Sequence, residues 1–488
     1  MMNPYSAVSG NRDGERAEVS RRHSTLSLSK GKARTRKGGT AVHKLRHGDE
    51  SVRMSRVRAR CGTKPPRMTT VEQVVSSENM QRAWQQVRTN KGAAGIDDMS
   101  IPDYPAFARA NWVRIKASLL DGTYVPAPVK RVEIPKDSGG TRPLGIPTVS
   151  DRVIQQAITQ VLVPVFDPRF SESSYGFRPG RSAHQAVKKV GELINQGYHY
   201  AVDIDLAKFF DTVDHDVLMH RVSRRVTDKG ILKLIGKYLR AGVVVNGRLN
   251  QTSKGVPQGG PLSPLLSNIL LDDLDKELEN RGHQFARYAD DLIILVKSKR
   301  SGERVMESIS RFLEKKLKVQ VNRDKSRVVR SEKSTFLGFT FTGRRLTVSE
   351  KSLTRCKNEL RRLTWRSWGV AMDYRYRKIR TYVQGWMNYF GIGMRYNTAN
   401  EWDQWFRRRI RMCYWKQWRK TRTRVRALMK LGVGERHAVK AGMSRKAYWY
   451  LAKTEALNVA LSNRYLKEQG LTSLRTLWIK IHHPATAR

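Results

Sequence analysis

Residues 285–296 read FARYADDLIILV, two apolar runs that meet at Asp290 and Asp291. Apolar runs of this length bounded by a polar turn predict two strands of a tight hairpin with the acidic pair at its tip. Two adjacent carboxylates among buried strand residues are costly unless cations offset them. A second apolar run, AVDIDLA (201–207), predicts another buried strand, with Asp205 at its end. One carboxylate at a strand end and two at a neighbouring hairpin make an economical scaffold for two magnesium ions about 3.5–4 Å apart. Such a pair neutralises and aligns the groups of a phosphoryl transfer, which needs little covalent help. Taken alone, YADD is also compatible with a charged hairpin turn, the lesser reading.

Between these strands, SPLLSNILLDDLDKELE (263–279) carries apolar residues at helical spacing, with Ser263 and Pro264 placed to open the helix. GERVMESISRFLEKKL (302–317) predicts another amphipathic helix. The mixture over 68–343 argues for an α+β sheet covered by helices on one face. Beyond about residue 345 strand signals cease, and nine of the eleven tryptophans fall after residue 360. Trp402 with Trp405, and Trp415 with Trp418, share helix faces at i, i+3 spacing, which suits the core of a helical bundle. The basic run RRRIRMCYWKQWRKTRTRVR (407–426) is then expected to line the opposite face, with Arg407, Arg408 and Arg411 as RNA-binding candidates.

Charge narrows the function further. With 93 Lys+Arg against 43 Asp+Glu the formal net charge is +50, a self-repulsion that a polyanion would relieve. Nucleic acid is the natural partner, bound with a steep salt dependence. Hydrophobic content of 39% fits a folded protein. No apolar stretch reaches the roughly 18 residues of a membrane helix, and no signal peptide opens the chain. Cys61, Cys356 and Cys413 are too scattered for a disulfide framework or a zinc site, so a reducing cytoplasm is expected. Residues 1–67, with SLSKGKARTRKGGT, have the composition of a disordered basic extension, either a loose RNA tether or a dispensable leader.

Ordered blocks give these features a family. IPKDSGGTRPLGIPTVSDRVIQQAI (134–158), YGFRPGRSAHQAV (175–187), DIDLAKFFDTVDH (203–215), GVPQGGPLSPLLSNILLDDLD (255–275), YADD, FLGFTF (336–341) and GWMNYF (385–390) follow in sequence. Together they resemble the reverse transcriptase-maturases encoded within bacterial group II introns. The resemblance implies a right-hand polymerase: fingers and palm over 68–343, a thumb or maturase domain over 344–430, and a basic DNA-binding module over 431–488. No Cys pairs or His-Asn-His arrangement after residue 430 match the HNH nuclease of many relatives.

The resemblance also assigns roles. Asp205, Asp290 and Asp291 match the metal triad, with the Leu206 carbonyl completing one shell around Mg2+, for which Mn2+ can substitute. Phe210 matches an aromatic gate against the sugar 2′ hydroxyl, although beside Phe209 it also suits ordinary core. Lys136 and Arg142 match clamps on the incoming triphosphate. Gln258, Gly259 and Gly260 form a turn whose glycines let backbone approach a nucleotide, or simply a tight turn before the helix. Lys325 matches a proposed proton donor to pyrophosphate, or else contacts backbone phosphate. The implied partners are group II intron RNA, target DNA and deoxynucleoside triphosphates, with splicing assistance and mobility by target-primed reverse transcription in the cytoplasm, at the nucleoid. A splicing-only RNA-binding factor and a host-adopted reverse transcriptase in phage defence are the competing readings.

Overall fold

The computed structural model describes residues 69–135 and 140–484. The expected basic extension over 1–67 and the clamp candidate Lys136 lie outside these residues. Among the described residues ten strands form three sheets. The first has the order β2-β1-β4-β5, from β1 (Val129–Pro135), β2 (Thr141–Ile146), β4 (Val243–Val245) and β5 (Arg248–Asn250). The second, the palm, is antiparallel throughout with the order β6-β7-β3-β8. It comprises β3 (Tyr200–Ile204), β6 (Gln284–Tyr288), β7 (Asp291–Val296) and β8 (Arg327–Arg330). The predicted hairpin is β6–β7, and Tyr288 pairs with Asp291 across its tip.

Alternation along β3 and β7 sends side chains to two different cores. Val202, Ile204, Leu292, Ile294 and Val296 join one buried cluster, packed under the helices Ser263–Asn280 and Lys299–Phe312. Ala201, Ile293 and Leu295 face the other way, against the helix Ala183–Asn195. The expectation of helices on one face is therefore corrected: both faces are covered, because both carry apolar residues that must be buried. The predicted helix over 302–317 also differs. It runs Lys299–Phe312 and ends in a π-helical turn, Leu313–Leu317, that buries Leu313 and Leu317. Ser263 does not cap its helix; its hydroxyl donates to the Pro257 carbonyl at 2.6 Å and anchors the preceding loop.

Strand structure continues past the expected limit near 345. β9 (Phe339–Thr342) and β10 (Arg345–Val348) form a separate two-stranded sheet that carries the chain into the helical half. Phe339 and Phe341 belong to the second core, together with Trp386, Trp402, Phe406 and Trp415. The helical half thus shares one continuous core with a palm face, as the aromatic spacing predicts for Trp402 and Trp415. Within it, GWMNYF lies on the helix Met372–Phe390, where the Tyr389 hydroxyl donates to the Leu337 carbonyl at 3.1 Å.

The segment after residue 430 is not a detached module. Leu451, Leu457, Leu461, Leu466 and Leu474 are buried in the same core. Asp403, on the helix Tyr396–Gln417, accepts from the Leu474 and Arg475 amides at 2.8 and 3.1 Å and from the Ser473 hydroxyl. A buried carboxylate on one helix therefore satisfies the open N-terminus of another, Leu474–His482. No helix among the described residues is long and apolar enough to cross a membrane. Replacing Asp403 with Ala should cost about 2 kcal/mol, the size of a lost cap, and should expose the last helix to protease. Urea unfolding and limited proteolysis measure both; unchanged cleavage after Leu471 would show that the docking does not depend on this carboxylate.

Candidate active site

The palm register brings the carboxylates together. Ile204 pairs with Leu292, so the next step places Asp205 beside Asp291. The strand stops at Ile204 because the 205–207 segment turns to the 320–322 segment instead. The Asn322 amide donates to the Asp205 carbonyl and the Ala207 amide to the Gln320 carbonyl, both at 2.8 Å. The Leu206 carbonyl between them has no hydrogen bond among the described residues, which leaves its lone pairs available. The Asp205 amide donates to the Ser326 hydroxyl at 3.0 Å, and Lys325 Nζ stands 3.8 Å from the Asp205 carboxylate. Ser326 was not among the candidates, since a lone serine after a lysine carries no sequence signal.

Burial pushes the Asp290 carboxyl up, and Arg142 opposes that shift while Asp205 adds to it. Burial also pushes Asp291 up to about 6, with the charges of Asp290 and Asp205 adding to the effect and Arg142 opposing it. Neither Asp290 nor Asp291 has a salt-bridge partner among the described residues. No group of three acidic, His or Cys side chains among the described residues is arranged to hold a metal ion. The donors nevertheless suit a hard divalent cation: oxygen only, anionic, mutually repelling and open on one side.

The hairpin that carries the pair is held from beneath. Arg287 on β6 is fully buried, and all five of its N–H donors are used. Nε and Nη2 grip Asp275 of the 263–280 helix, Nε at 2.7 Å. Nη1 donates to Asn268 Oδ1 at 3.0 Å and to the Ala289 carbonyl at 2.9 Å, and Nη2 to Ser174 Oγ at 2.8 Å. Ala289 needs this support, because its φ of 58° is left-handed. Gly176 lies so close beneath that a Cβ there would come 2.2 Å from the Ala289 amide nitrogen. Arg287 and Asp275 were missed as positioning residues. Their signal was one arginine in a short strand and one acid among several on a helix, each unremarkable in its own segment.

The loop of GVPQGG joins the remaining candidates. The Val256 amide donates to the Phe210 carbonyl at 2.6 Å, and the Gly145 amide to the Gln258 carbonyl at 2.7 Å. Gly259 has φ 126°, and a Cβ there would meet the Gly145 carbonyl at 2.4 Å, so this close approach requires glycine. The loop thus bridges β2, which carries exposed Arg142, to the short helix Phe209–Thr212. Phe209 is core at 2% exposure, whereas Phe210 is only half-buried, with their rings 5.2 Å apart edge to face. That division separates the gate candidate from its packing neighbour.

The arginines singled out for RNA sit differently from a free stripe. Arg411 is buried, donates to the Leu461 carbonyl at 3.1 Å, and has its pKa pushed down to about 10 by burial and Arg407. Arg408 lies 3.7 Å over the Trp449 ring and donates to the Trp449 carbonyl at 2.6 and 2.9 Å. Arg407 pairs with Asp403 at 3.6 Å. Arg408 and Arg411 tie the 396–417 helix to the C-terminal segment, and Arg407 backs the carboxylate that caps the last helix. The exposed cations follow them: Lys416, Arg419, Lys420, Arg422, Arg426 and Lys430.

A palm sheet with a carboxylate at one strand end, an acidic hairpin beside it and a basic β-hairpin nearby defines a nucleotidyl-transferring polymerase of the right-hand class. Residues 134–341 match the family model for reverse transcriptase (RNA-dependent DNA polymerase), and residues 353–432 match that for the group II intron maturase-specific domain. Protein YkfC of Escherichia coli (strain K12) is 34% identical over 298 residues, 53% of this chain and 77% of that protein. The group II intron-encoded protein LtrA of Lactococcus lactis subsp. cremoris is 32% identical over 332 residues, 54% of this chain and 55% of its own length. A telomerase from Candida albicans covers 67% of this chain and 65% of its own, at 14% identity and a TM-score of 0.38, too slight a likeness to carry argument. The chain belongs to the family of group II intron reverse transcriptase-maturases.

The raised Asp291 pKa predicts a stability effect. Its folded value of about 6 exceeds the ordinary 3.8, so the native state holds the proton more tightly than the unfolded chain. That contribution is complete below the unfolded value and is lost as pH rises through about 6. Asp291 is exposed at the hairpin tip, so solvent screening reduces this cost. In chelator, Asp291→Asn should melt only slightly above the wild-type chain at about pH 8, with the gain shrinking toward about pH 5. A variant that melts lower at both pH values would show that Asp291 carries no such cost.

Proposed function

We propose that the chain copies RNA into DNA at Asp205, Asp290 and Asp291, and that its helical half holds the intron RNA whose splicing it assists. The observation that carries the reading is the convergence of three separated segments: the two carboxylate-bearing strands, the Arg142 strand, and the GVPQGG loop between them. Asp205, Asp290, Asp291 and the Leu206 carbonyl suit two magnesium ions, with manganese as substitute, which when bound would neutralise the charge that builds on the transferred phosphoryl group. Arg142 is placed to hold the triphosphate, with Lys136 assigned the same task by the family pattern. The half-buried Phe210 ring is placed to exclude a 2′ hydroxyl. Lys325, beside Asp205, is a candidate donor of a proton to the departing pyrophosphate. Gln258 and Gly259 present backbone rather than bulk to the nucleotide or template base.

The RNA contacts are assigned first to the exposed cations of 416–430, since Arg411 is buried and the half-exposed Arg407 and Arg408 are partnered within the fold. A rigid helical surface carrying fixed cations suits a folded RNA, whose phosphates also stand in a fixed pattern. Target DNA would supply the primer for insertion, which places the work at the nucleoid.

Asp290→Asn should reduce primer extension on RNA by about a thousandfold or more, since a metal ligand is removed while the fold is kept. Its affinity for intron RNA and its support of splicing should stay within about twofold. The triple variant Lys420→Gln, Arg422→Gln, Arg426→Gln should show the reverse: weaker intron binding and a shallower salt slope, by about one unit for each phosphate left unneutralised. Extension assays, splicing assays and binding across a salt series separate the two; parallel loss of both activities in both proteins would refute the division of labour.

Sugar selection gives a sharper check on one side chain. Phe210→Ala should raise ribonucleotide incorporation relative to deoxyribonucleotide by about tenfold or more, read from kcat/KM for each. An unchanged ratio would return Phe210 to the core beside Phe209.

A further inference from the structure

Far along the chain from the carboxylates, the surface of the helical half carries an open cavity of about 380 Å3. It lies between the end of the 396–417 helix, the start of the helix Thr421–Lys430, and the 443–447 segment that links Glu435–Gly442 to Tyr448–Leu451. Trp415, Arg424, Ser444, Arg445, Lys446 and Tyr448 are among its lining residues, and no carboxylate is. Arg424 is fixed in place: it stacks 4.8 Å over the Trp415 ring, and its Nε donates to the Trp418 carbonyl at 2.9 Å.

The charge around Tyr448 is the unusual feature. Arg366, Lys416 and Arg424 stand 4.7, 5.9 and 6.0 Å from its ring. Each is attracted by the ring face, yet the three repel one another. Arg445 adds a fourth exposed cation with no partner among the described residues, and Lys446 a fifth, resting 4.5 Å over the Tyr450 ring. Three cations that line one aromatic-walled cavity without an acid, with Arg366 and Lys416 beyond them at the Tyr448 ring, suit an anion that also has a flat face. A phosphate alone would use the cations but not Tyr448. A nucleotide uses both.

We propose that this cavity receives a single unstacked nucleotide of a folded RNA, its phosphate between Arg445 and Lys446 and its base beside Tyr448. The proposal rests on the reading that the helical half binds RNA, and it adds where and in what form. RNA is favoured over DNA because folded RNA offers bulged and looped nucleotides, whereas duplex DNA keeps its bases stacked. The cavity volume falls in the range of small-ligand sites, about 300–1,000 Å3, and is too small for a helical groove or a duplex end.

The test uses the full chain and three probes: an RNA hairpin with one bulged 2-aminopurine, the same hairpin without the bulge, and the bulged hairpin in DNA. The wild-type chain should bind the bulged RNA about tenfold more tightly than the unbulged one, with a change in 2-aminopurine fluorescence as the base enters the cavity. Tyr448→Leu and Arg445→Gln should each erase that preference while leaving affinity for the unbulged RNA within about twofold. Arg445 is exposed and unpartnered among the described residues, so its variant decides the matter even if Tyr448→Leu fails to fold. A bulge preference that survives both substitutions, an equal preference for the DNA bulge, or no bulge preference in the wild-type chain would overturn the proposal. Failure to bind either RNA hairpin in a salt-sensitive manner would overturn the RNA reading of the helical half along with it.

Discussion

The arrangement of the active site depends on one buried ion pair. Arg287 and Asp275 are each withdrawn from water, with side-chain exposures of 1% and 0%. Burial pushes the Asp275 carboxyl up, and the Arg287 charge opposes that shift. Desolvating two such charges is expensive, and a pair of this kind is often no more stable than apolar residues of the same volume. What the pair provides is geometry. The planar guanidinium fork fixes five acceptor atoms at once, and they come from three separate places: Asp275 and Asn268 on the 263–280 helix, the Ser174 hydroxyl, and the Ala289 carbonyl. Asn268 passes the constraint on by donating to the Gly176 carbonyl at 2.8 Å. A lysine could not do this, having no planar fork.

From that clamp the site is assembled by contacts that leave little slack. The YGFRPG segment is bonded to β6 through Tyr175 and Ser173, which exchange backbone hydrogen bonds with Arg287 at 2.8 and 2.9 Å. Arg178 reinforces the same segment: its Nε donates to Asp167 at 2.8 Å and its Nη1 to the Ser174 carbonyl at 2.9 Å. The Asp pair is therefore presented on a hairpin whose backbone is over-determined from below. Its carboxylates have no salt-bridge partner above among the described residues. Strain and uncompensated charge collect at the point where a substrate and cations would enter, which is where a catalytic fold can put them to use.

The chain's net charge of +50 divides into two populations that composition cannot separate. One is structural. Arg375 is buried and donates to the Leu363, Trp365 and Trp368 carbonyls at 2.7, 3.2 and 2.9 Å, closing the C-terminal end of the helix Glu350–Leu363. Arg409 does the same at the Thr364 hydroxyl, 2.6 Å away, and Arg411 at the Leu461 carbonyl. Guanidinium is suited to such work, because it can saturate several orphan carbonyls at helix ends while its stem packs on aromatic rings. The other population is exposed, and in the helical half it includes Arg355, Arg377 and Arg395 as well as the cations of 416–430. The run 407–426 contains both, with Arg411 buried and Lys416 to Arg426 mostly exposed.

How much was legible follows from the same distinction. The palm could be read because its signals are local: apolar alternation, an acidic pair at a hairpin tip, glycines where the backbone must crowd. β3, β6, β7 and the 263–280 helix all fall where those signals put them. The second palm face was not legible, because the residues that cover it arrive from 183–195 and from the helical half, and strand alternation does not say what will pack on it. The same holds for Arg287 and Asp275. Each looks like an ordinary charge in its own segment, and only the register that brings β6 against the 263–280 helix makes them a pair. Phe210 shows the limit most clearly. Two adjacent phenylalanines share one pattern in the sequence; Phe209 is 2% exposed, whereas Phe210 packs on the same core from a half-buried position, and the proposed nucleotide contact rests on that partial exposure. Local pattern decides which residues are available for chemistry, and tertiary packing decides which of them are left free to perform it.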